Sequence, residues 1–410
     1  MKTVVKNIGQ LATPKGFSGV SGKEMGNLDI SYGVEILIED GIISAVGKTG
    51  DFSDCADRII DAEGMCVVPG FVDSHTHFIF GGYREDEFLA RLAGDEYLEI
   101  LKKGGGIQET VRATREAPAE ELYSTGMDRL KSMLSQGVLT VEGKSGYGLD
   151  LDCEIKQLEV MKKLDKDQPV DIVRTYLGGH AVPLEYKGKT DEYIDFMNKE
   201  VIPKIAENEL AEFCDVFCED SVFSIEESRK ILLEGQKYGL KSKIHADEIV
   251  PLGGGKLGAE IGAVSADHLL MVTDDGIEAL SKSNTCATLL PCTAFCLNKP
   301  YAPARRLIDS RCKVALASDI NPGSCFANSY ALLMALAVVY MGMSMEEALC
   351  AITLNGAAAV GRADKIGSVE VGKKADFLIL KYPSYKFLVY NTGANIIKKA
   401  VKGGEVVYEA

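Results

Sequence analysis

Val67-Val68-Pro69-Gly70-Phe71-Val72-Asp73-Ser74-His75-Thr76-His77 is the stretch whose reading decides the fold. An apolar run, punctuated by Pro-Gly, leads straight into two histidines two residues apart. Strand side chains alternate with period two, so an extended His75-x-His77 puts both imidazoles on one face. Two neutral imidazoles on one face are good ligands for zinc or a similar divalent ion. Alone the pair is weak evidence, and its weight depends on what the other strand ends carry.

Further along the chain, short apolar runs recur at Val138 to Val141, Ile172 to Leu177, Cys214 to Phe217, Ser242 to His245, Gly262 to Ala266, Cys286 to Leu290 and Lys313 to Ala317. Helix-period stretches such as Ala119 to Leu134, Cys153 to Leu164 and Ser224 to Tyr238 alternate with them. About eight strands separated by helices predict an α/β protein built on a (β/α)8 TIM-type barrel. Periodicity alone also fits a doubly wound sheet; the reactive residues favour the barrel. The first run ends in His75 and His77, the second in Glu142, Lys144 and Tyr147, the third in His180. The fifth ends in His245-Ala246-Asp247-Glu248, the sixth in Asp267-His268 and the eighth in Ser318-Asp319. All 5 histidines of the chain stand at such ends, and barrel enzymes gather their active sites at the carboxyl ends of the strands. With His245 and Asp319 added, the pair becomes three nitrogens and one carboxylate oxygen, with room for a water. A metal there lowers the pKa of water from about 15.7 towards roughly 7 to 9, on the order of 9–12 kcal/mol in hydroxide availability.

The two ends of the chain have a different texture. Val34 to Ile38 and Ile42 to Val46, joined by Glu39-Asp40-Gly41, predict a hairpin, and Ile59 to Asp61 and Met65 to Val68 continue the β style. Phe377 to Leu380, Ile396 to Val401 and Val406 to Tyr408 repeat it at the other end. Neither segment can bury a core alone, so the two are expected to fold together. The predicted division is a composite β-sandwich from 1–68 plus 360–410 and a catalytic barrel over 69–359.

Composition narrows the function classes. The 410 residues are 46% hydrophobic and 26% charged, ordinary for a globular protein. A net charge of -15 with no basic stripe argues against nucleic acid and anionic membrane surfaces as partners. The most apolar stretch, Ala331 to Val339, is too short to span a bilayer. Eleven cysteines, an odd number without a C-x-x-C pair, fit reduced thiols in a cytoplasm, and Met1 to Asn7 lacks the pattern of a secretory signal. Cys286, Cys292 and Cys296 read as packing. Gly104-Gly105-Gly106 lacks the lysine-serine spacing of a phosphate loop and reads as a mobile loop near the pocket. A homodimer is the expectation for an enzyme of this size.

The motifs as a set resemble a known family. Val68 to His77 is similar to the opening metal motif of the amidohydrolase superfamily. Phe80 to Phe88 (FGGYREDEF), Lys144 to Leu149 (KSGYGL), Gly179 to Pro183 (GHAVP), Asp215 to Glu219 (DVFCE), Lys243 to Glu248 (KIHADE), Ser265 to Leu269 (SADHL) and Ser318 to Ser324 (SDINPGS) resemble the imidazolonepropionases within it. The similarity runs in order to Gly367 to Asp376 (GSVEVGKKAD). It implies hydrolysis of the cyclic amide C–N bond of 4-imidazolone-5-propanoate to N-formimidoyl-L-glutamate, the third step of L-histidine degradation to glutamate.

The resemblance also implies roles. His75, His77, His245 and Asp319 would bind one divalent or trivalent ion per subunit, zinc or iron. Arg84 would clamp the carboxylate tail of the small-molecule substrate. Tyr147 and His180 would hydrogen-bond it, and Asn321, Gly323 and Ser324 would line the pocket. Glu248 would contact the substrate and orient or deprotonate the attacking water, and His268 and Asp319 would pass a proton to the leaving nitrogen. Gly143 and Gly179 depart from the bulkier residue and the alanine usual in the family. Lys144 is the one lysine at a strand end where relatives with two metals carry a bridging carboxylated lysine; its glycine and serine neighbours favour a single metal. Two rivals are a deaminase or cyclic amidase of the same superfamily, acting on guanine or a hydantoin-type ring, and a non-catalytic scaffold. Arg84 argues against the first and the complete ligand set against the second.

Overall fold

The computed structural model describes residues 1–52, 56–93 and 105–410. Among these, seven strands precede the barrel: β1 (Lys2–Ile8), β2 (Gln10–Pro14), β3 (Leu28–Ser31), β4 (Val34–Glu39), β5 (Ile42–Lys48), β6 (Arg58–Asp61) and β7 (Cys66–Pro69). The barrel strands are β8 (Phe71–Asp73), β9 (Val138–Lys144), β10 (Asp171–Gly179), β11 (Phe213–Cys218), β12 (Lys241–Ala246), β13 (Ser265–His268), β14 (Cys286–Leu289) and β15 (Lys313–Leu316). Three more follow: β16 (Phe377–Leu380), β17 (Ile397–Lys402) and β18 (Glu405–Glu409).

Outside the barrel lie two sheets, ordered β5-β4-β1-β6 and β18-β17-β16-β7-β2-β3. The β4–β5 hairpin turns on Asp40 and Gly41, both with positive φ, as a two-residue turn matched to strand twist requires. The two ends of the chain meet where β16 pairs antiparallel with β7, Leu378 opposite Val68. Alternation lets this sheet serve two cores. Val67, Phe377 and Ile379 face Val5, Ile36, Ile38 and Ile43 across the sandwich. Val68, Leu378 and Leu380 join the apolar mass that surrounds the barrel.

The run Val67 to Asp73, read as one strand, is two. Gly70 divides β7 from β8, donating its N–H to Asp376 O at 3.0 Å. A Cβ at Gly70 would stand 2.5 Å from Leu139 Cδ1, so the chain can cross from sandwich to barrel here only without a side chain. The sixth barrel strand likewise begins at Ser265, not Gly262, whose φ of +70 ends the preceding helical turn. β9 to β12 extend one to three residues beyond the predicted runs, since the ladder continues into the polar ends, whereas β14 and β15 each stop one residue short, at Leu289 and Leu316.

β8 to β15 run parallel, each beside its successor. The seam between β15 and β8 closes just past both strands. Ser318 N–H donates to Asp73 Oδ1 at 3.0 Å, Asp319 N–H to His75 O at 3.0 Å, and His77 N–H to Ile320 O at 2.9 Å. On the other side Lys144 N–H donates to Thr76 O at 3.0 Å. The His75–His77 segment is thus held by backbone hydrogen bonds on both flanks.

Helices cover the outside, several with side-chain caps that fix where they start. Asp150 accepts from Cys153 N–H at the head of Leu151–Asp167, and Ser224 and Glu227 form a reciprocal capping box on Ile225–Lys237. The apolar stretch noted above is the helix Tyr330–Val339, packed into the core. Among the described residues no helix is long and apolar enough to cross a membrane. Cys286 and Cys292 are buried packing residues whose thiols burial pushes up, Cys286 to about 11.

Candidate active site

At the carboxyl end of the barrel the side chains of the seam converge. His77 Nε2 lies 3.3 Å from His75 Nε2 and 3.4 Å from His245 Nε2, and Asp319 Oδ1 lies 3.6 Å from both His75 Nε2 and His77 Nε2. All four residues are buried. Zinc binds imidazole nitrogen at about 2.0–2.1 Å, and tetrahedral ligands at that radius are about 3.3–3.4 Å apart. These four separations are those of coordination-shell edges: they tie His75, His77 and Asp319 into one set, which His245 joins through His77. They are poor geometry for hydrogen bonds, because His75 Nδ1 already pairs with Asp267 Oδ2 at 2.7 Å and turns its Nε2 lone pair inward. Burial and the nearby Lys144 cation hold His75 well below the ordinary imidazole range; burial and His180 do so for His77. The donor set is neutral nitrogen plus carboxylate, and it fits one divalent ion.

A layer of charged groups supports this cluster. His245 Nδ1 lies 3.0 Å from Asp215 Oδ2, as His75 Nδ1 lies near Asp267. Lys144 Nζ reaches Asp215 Oδ2 at 2.7 Å, Glu142 Oε1 at 2.9 Å and Asp267 Oδ2 at 3.7 Å. Lys243 Nζ pairs with Glu142 Oε2 at 2.9 Å and donates to Ser74 O at 2.8 Å, and the Thr175 hydroxyl donates to Glu142. Each of these side chains is fully buried. The sequence reading left Asp215 and Asp267 without roles. Their signal is positional: both point into the barrel from strands whose neighbours carry the ligands, with His245 opposite Asp267 in register.

Glu248 follows β12 on a loop fixed from both sides. Asp247 accepts the N–H groups of Gly253, Gly254 and Gly255, and Glu219 accepts those of Ile249 and Val250. Burial, then Asp319 and Glu219, push the Glu248 carboxyl up to about 8. Its Oε2 stands 3.6 Å from His268 Nδ1. Both ring nitrogens of His268 are buried without a hydrogen-bond partner, although its ring packs 5.3 Å from His75. His268 and Asp319 have φ of 78° and 54°, left-handed conformations that cost energy in a non-glycine residue and cluster at working sites. Burial pushes Asp319 up to about 6, eased by the Thr293 hydroxyl at 2.6 Å. His180 stacks on His77 at 5.0 Å and shares a proton with Gly146 O at 3.1 Å; burial pushes it down to about 3. Tyr147 packs against both rings, its phenol kept protonated by burial.

Arg84 is already in a fork. Its Nε and Nη2 donate to Glu87 Oε2 at 2.8 Å and Oε1 at 2.6 Å, while Nη1 rests against Gly323, where a Cβ would come within 2.2 Å of it. Glu87 also accepts from Gly106 N–H at 2.8 Å, and the neighbouring Gly104 lies outside the described residues. Arg84, Tyr83, Phe88, Gly323, Ser324 and Phe326 line a cavity of 220 Å³. The donors expected to face a ligand from the Asn321 turn are engaged within it. Asn321 Oδ1 accepts from Gly323 and Ser324 N–H at 2.9 and 2.7 Å, and Asn321 Nδ2 donates to Asp319 O at 2.8 Å. Asn321 therefore builds the turn that carries Gly323 and Ser324.

Sequence reasoning also passed over Arg129. From the helix Ala119–Ser135 its Nη1 donates to Phe78 O at 2.8 Å and Phe80 O at 3.2 Å, and its guanidinium lies 3.6 Å from the Phe80 ring centre. Among the described residues no carboxylate pairs with it. A lone arginine inside a helical pattern offers no sequence signal. Gly143 and Gly179 are accounted for by their neighbours: a Cβ would meet Phe78 and Met161 at the first and Val216 at the second, so those larger side chains occupy the space.

Comparison with known proteins agrees with this geometry. Amidohydrolase family patterns match residues 58–95 and 231–407. An imidazolonepropionase of Clostridium tetani is 55% identical, covering 99% of this chain and 98% of that protein. One of Porphyromonas gingivalis is 52% identical over 100% and 98%. Among solved structures, a guanine deaminase from C. acetobutylicum with bound guanine superposes with a TM-score of 0.73 at 18% identity, covering 100% of both chains. A mutant atrazine chlorohydrolase from Arthrobacter aurescens TC1, complexed with zinc and atraton, gives 0.75 at 15% identity, covering 99% of this chain and 95% of that one. At such identities the structural matches speak for the fold.

Proposed function

This chain belongs to the imidazolonepropionase family of amidohydrolases, and from that membership we propose how its residues open 4-imidazolone-5-propanoate to N-formimidoyl-L-glutamate. It is a metal-dependent hydrolase of a cyclic amide C–N bond acting on a small molecule. The observation that supports the assignment of residues is the set of His75, His77 and Asp319 at coordination-shell spacing, with His245 against His77 at 3.4 Å.

His75, His77, His245 and Asp319 would hold a single ion, zinc or iron. Bound there, the ion would act as a Lewis acid that polarises the ring carbonyl and acidifies water. Glu248, held by its loop at the edge of the cluster, takes the proton of the attacking water. Burial raises its pKa in the metal-free site, and a bound cation would draw it back down towards the form that accepts a proton. His268, without another partner and beside Glu248, passes a proton towards the leaving ring nitrogen, with Asp319 as the alternative relay. Tyr147 and His180 hydrogen-bond the ring. Arg84 meets the propanoate through Nη1, its fork oriented by Glu87, over the floor formed by Gly323 and Ser324. The single-ion reading is supported by Lys144, whose ammonium is committed to carboxylates rather than free to become a bridging carbamate. Residues 69–359 would form the catalytic unit and 1–68 with 360–410 the terminal one. The unpaired thiols of the ten described cysteines suit a cytoplasmic enzyme, and a homodimer is the expectation for its size.

Direct assay of imidazolonepropionate loss, with guanine and a cyclic imide as controls, tests the assignment. Turnover of the controls in preference to imidazolonepropionate would overturn it.

A further inference from the structure

We propose that Lys144 is a positioning residue for the metal ligands, locking the rings of His75 and His245 into one arrangement although it touches neither. The inference rests on those two histidines being ligands, as proposed above.

Asp267 Oδ2 takes the His75 Nδ1 hydrogen bond at 2.7 Å and is also the atom nearest Lys144 Nζ, at 3.7 Å. Asp215 Oδ2 lies 3.0 Å from His245 Nδ1 and accepts from Lys144 Nζ at 2.7 Å. In both cases one carboxylate oxygen is shared between an imidazole and the same ammonium. Rotation of the His245 ring therefore has to move a carboxylate that Lys144 binds directly, and rotation of the His75 ring one that the ammonium faces at 3.7 Å. The ammonium also donates to Glu142 Oε1 at 2.9 Å, and Glu142 is fixed in turn by Lys243 and Thr175. Lys144, Asp215 and Asp267 come from β9, β11 and β13, which are the second, fourth and sixth barrel strands. Alternate strands fill a single interior layer of such a barrel. The ammonium is thus the hub of a layer lying directly beneath the ligand cluster.

Burial gives the same answer. Asp215 and Asp267 are both completely buried, and Lys144 is the cation that stands against both. Taking the cation out of such a buried cluster leaves its carboxylates without the partner that fixes them. Carboxylates that orient ligating histidines typically change metal affinity by 10- to 100-fold when removed. Because Lys144 serves two such carboxylates, its replacement is expected to cost at least as much as replacement of either one.

The test uses the full-length protein stripped of metal and reloaded with cobalt(II), reading affinity by chelator competition and ligand geometry by visible absorption. Lys144→Met, which keeps the stem and removes the charge, is expected to weaken cobalt binding on the order of 10- to 100-fold and to alter the spectrum. Lys144→Arg should recover part of the affinity. Wild-type affinity and spectrum in Lys144→Met would overturn the proposal. If Lys144→Met does not fold, Asp215→Asn, Asp267→Asn and the double variant replace it: losses smaller in combination than their sum show coupling through Lys144, and strictly additive losses refute it. Failure of the wild-type chain to bind any ion would instead bring down the ligand assignment itself, a result these variants do not mimic.

Discussion

The region beneath the histidines and the region above them are built on opposite plans. Below, Lys144 and Lys243 face Glu142, Asp215 and Asp267, every group fully buried and every cation in contact with a carboxylate. Above, Arg84 forks onto Glu87, and Arg129 sits among Phe80, Tyr83 and Phe326 with no carboxylate against it among the described residues. The lower layer spends its charge on geometry, since paired buried ions hold their partners in place. The upper one holds a buried cation, Arg129, that no acid answers among the described residues, which suits a chain of net charge -15 if it is to admit an anion. On the proposed assignment, position is set on one side of the histidine cluster and selection on the other.

Variants on either side should separate these roles. Chelation should abolish activity, and zinc or iron added back should restore it; activity that survives metal depletion would end the comparison. Glu248→Gln should lower kcat by about 10²- to 10⁴-fold while metal content, measured by elemental analysis, stays at the wild-type level. Arg84→Met should raise KM on the order of 10- to 100-fold, the loss of one charge-assisted contact, and leave kcat far less changed. An unaltered KM would place selection elsewhere. Arg129→Met strands two buried carbonyls at about 1–3 kcal/mol each, so melting temperature should fall by several degrees while KM rises less than in Arg84→Met.

The smallest effect is a pH dependence of stability. In the metal-free protein Glu248 is pushed up to about 8 from 4.5 by burial, Asp319 and Glu219. The folded chain therefore keeps a proton that the unfolded chain has released. Stability from this source is complete below about pH 4.5 and is lost as pH rises through about 8. Thermal melts across that window should show a steeper decline for wild type than for Glu248→Gln, and equal slopes would count against the buried, raised carboxyl.

Some of this was legible in the sequence because two periodicities carry it. Alternation in strands put His75 and His77 on one side, and recurrence of strand and helix placed all five histidines at one end of a barrel. The relatives above 50% identity then bear out the reaction inferred from the KSGYGL and SDINPGS motifs. What escaped depends on pairing across the barrel. Asp215 and Asp267 become partners of histidines only once the strands are set in register. The fork of Arg84 onto Glu87 looks from sequence like any acidic helix start, and Arg129 reaches its carbonyls from a helix with nothing to mark it. The split at Gly70 was hidden for a different reason: an unbroken apolar run says that both halves are buried, not that they are buried in different sheets.

The seam of the barrel has a consequence for how the protein comes apart. His75 and His77 follow the first barrel strand and Asp319 the last, so anything gripping all three fastens the two ends of the barrel together across roughly 240 residues of chain. Cross-links over loops of that length restrict the unfolded ensemble strongly, by about 5–6 kcal/mol in the entropic treatment of disulfides. A site loaded through these residues would then be a clasp as well as a catalyst, and its release would bear on the lifetime of the enzyme against heat and proteases.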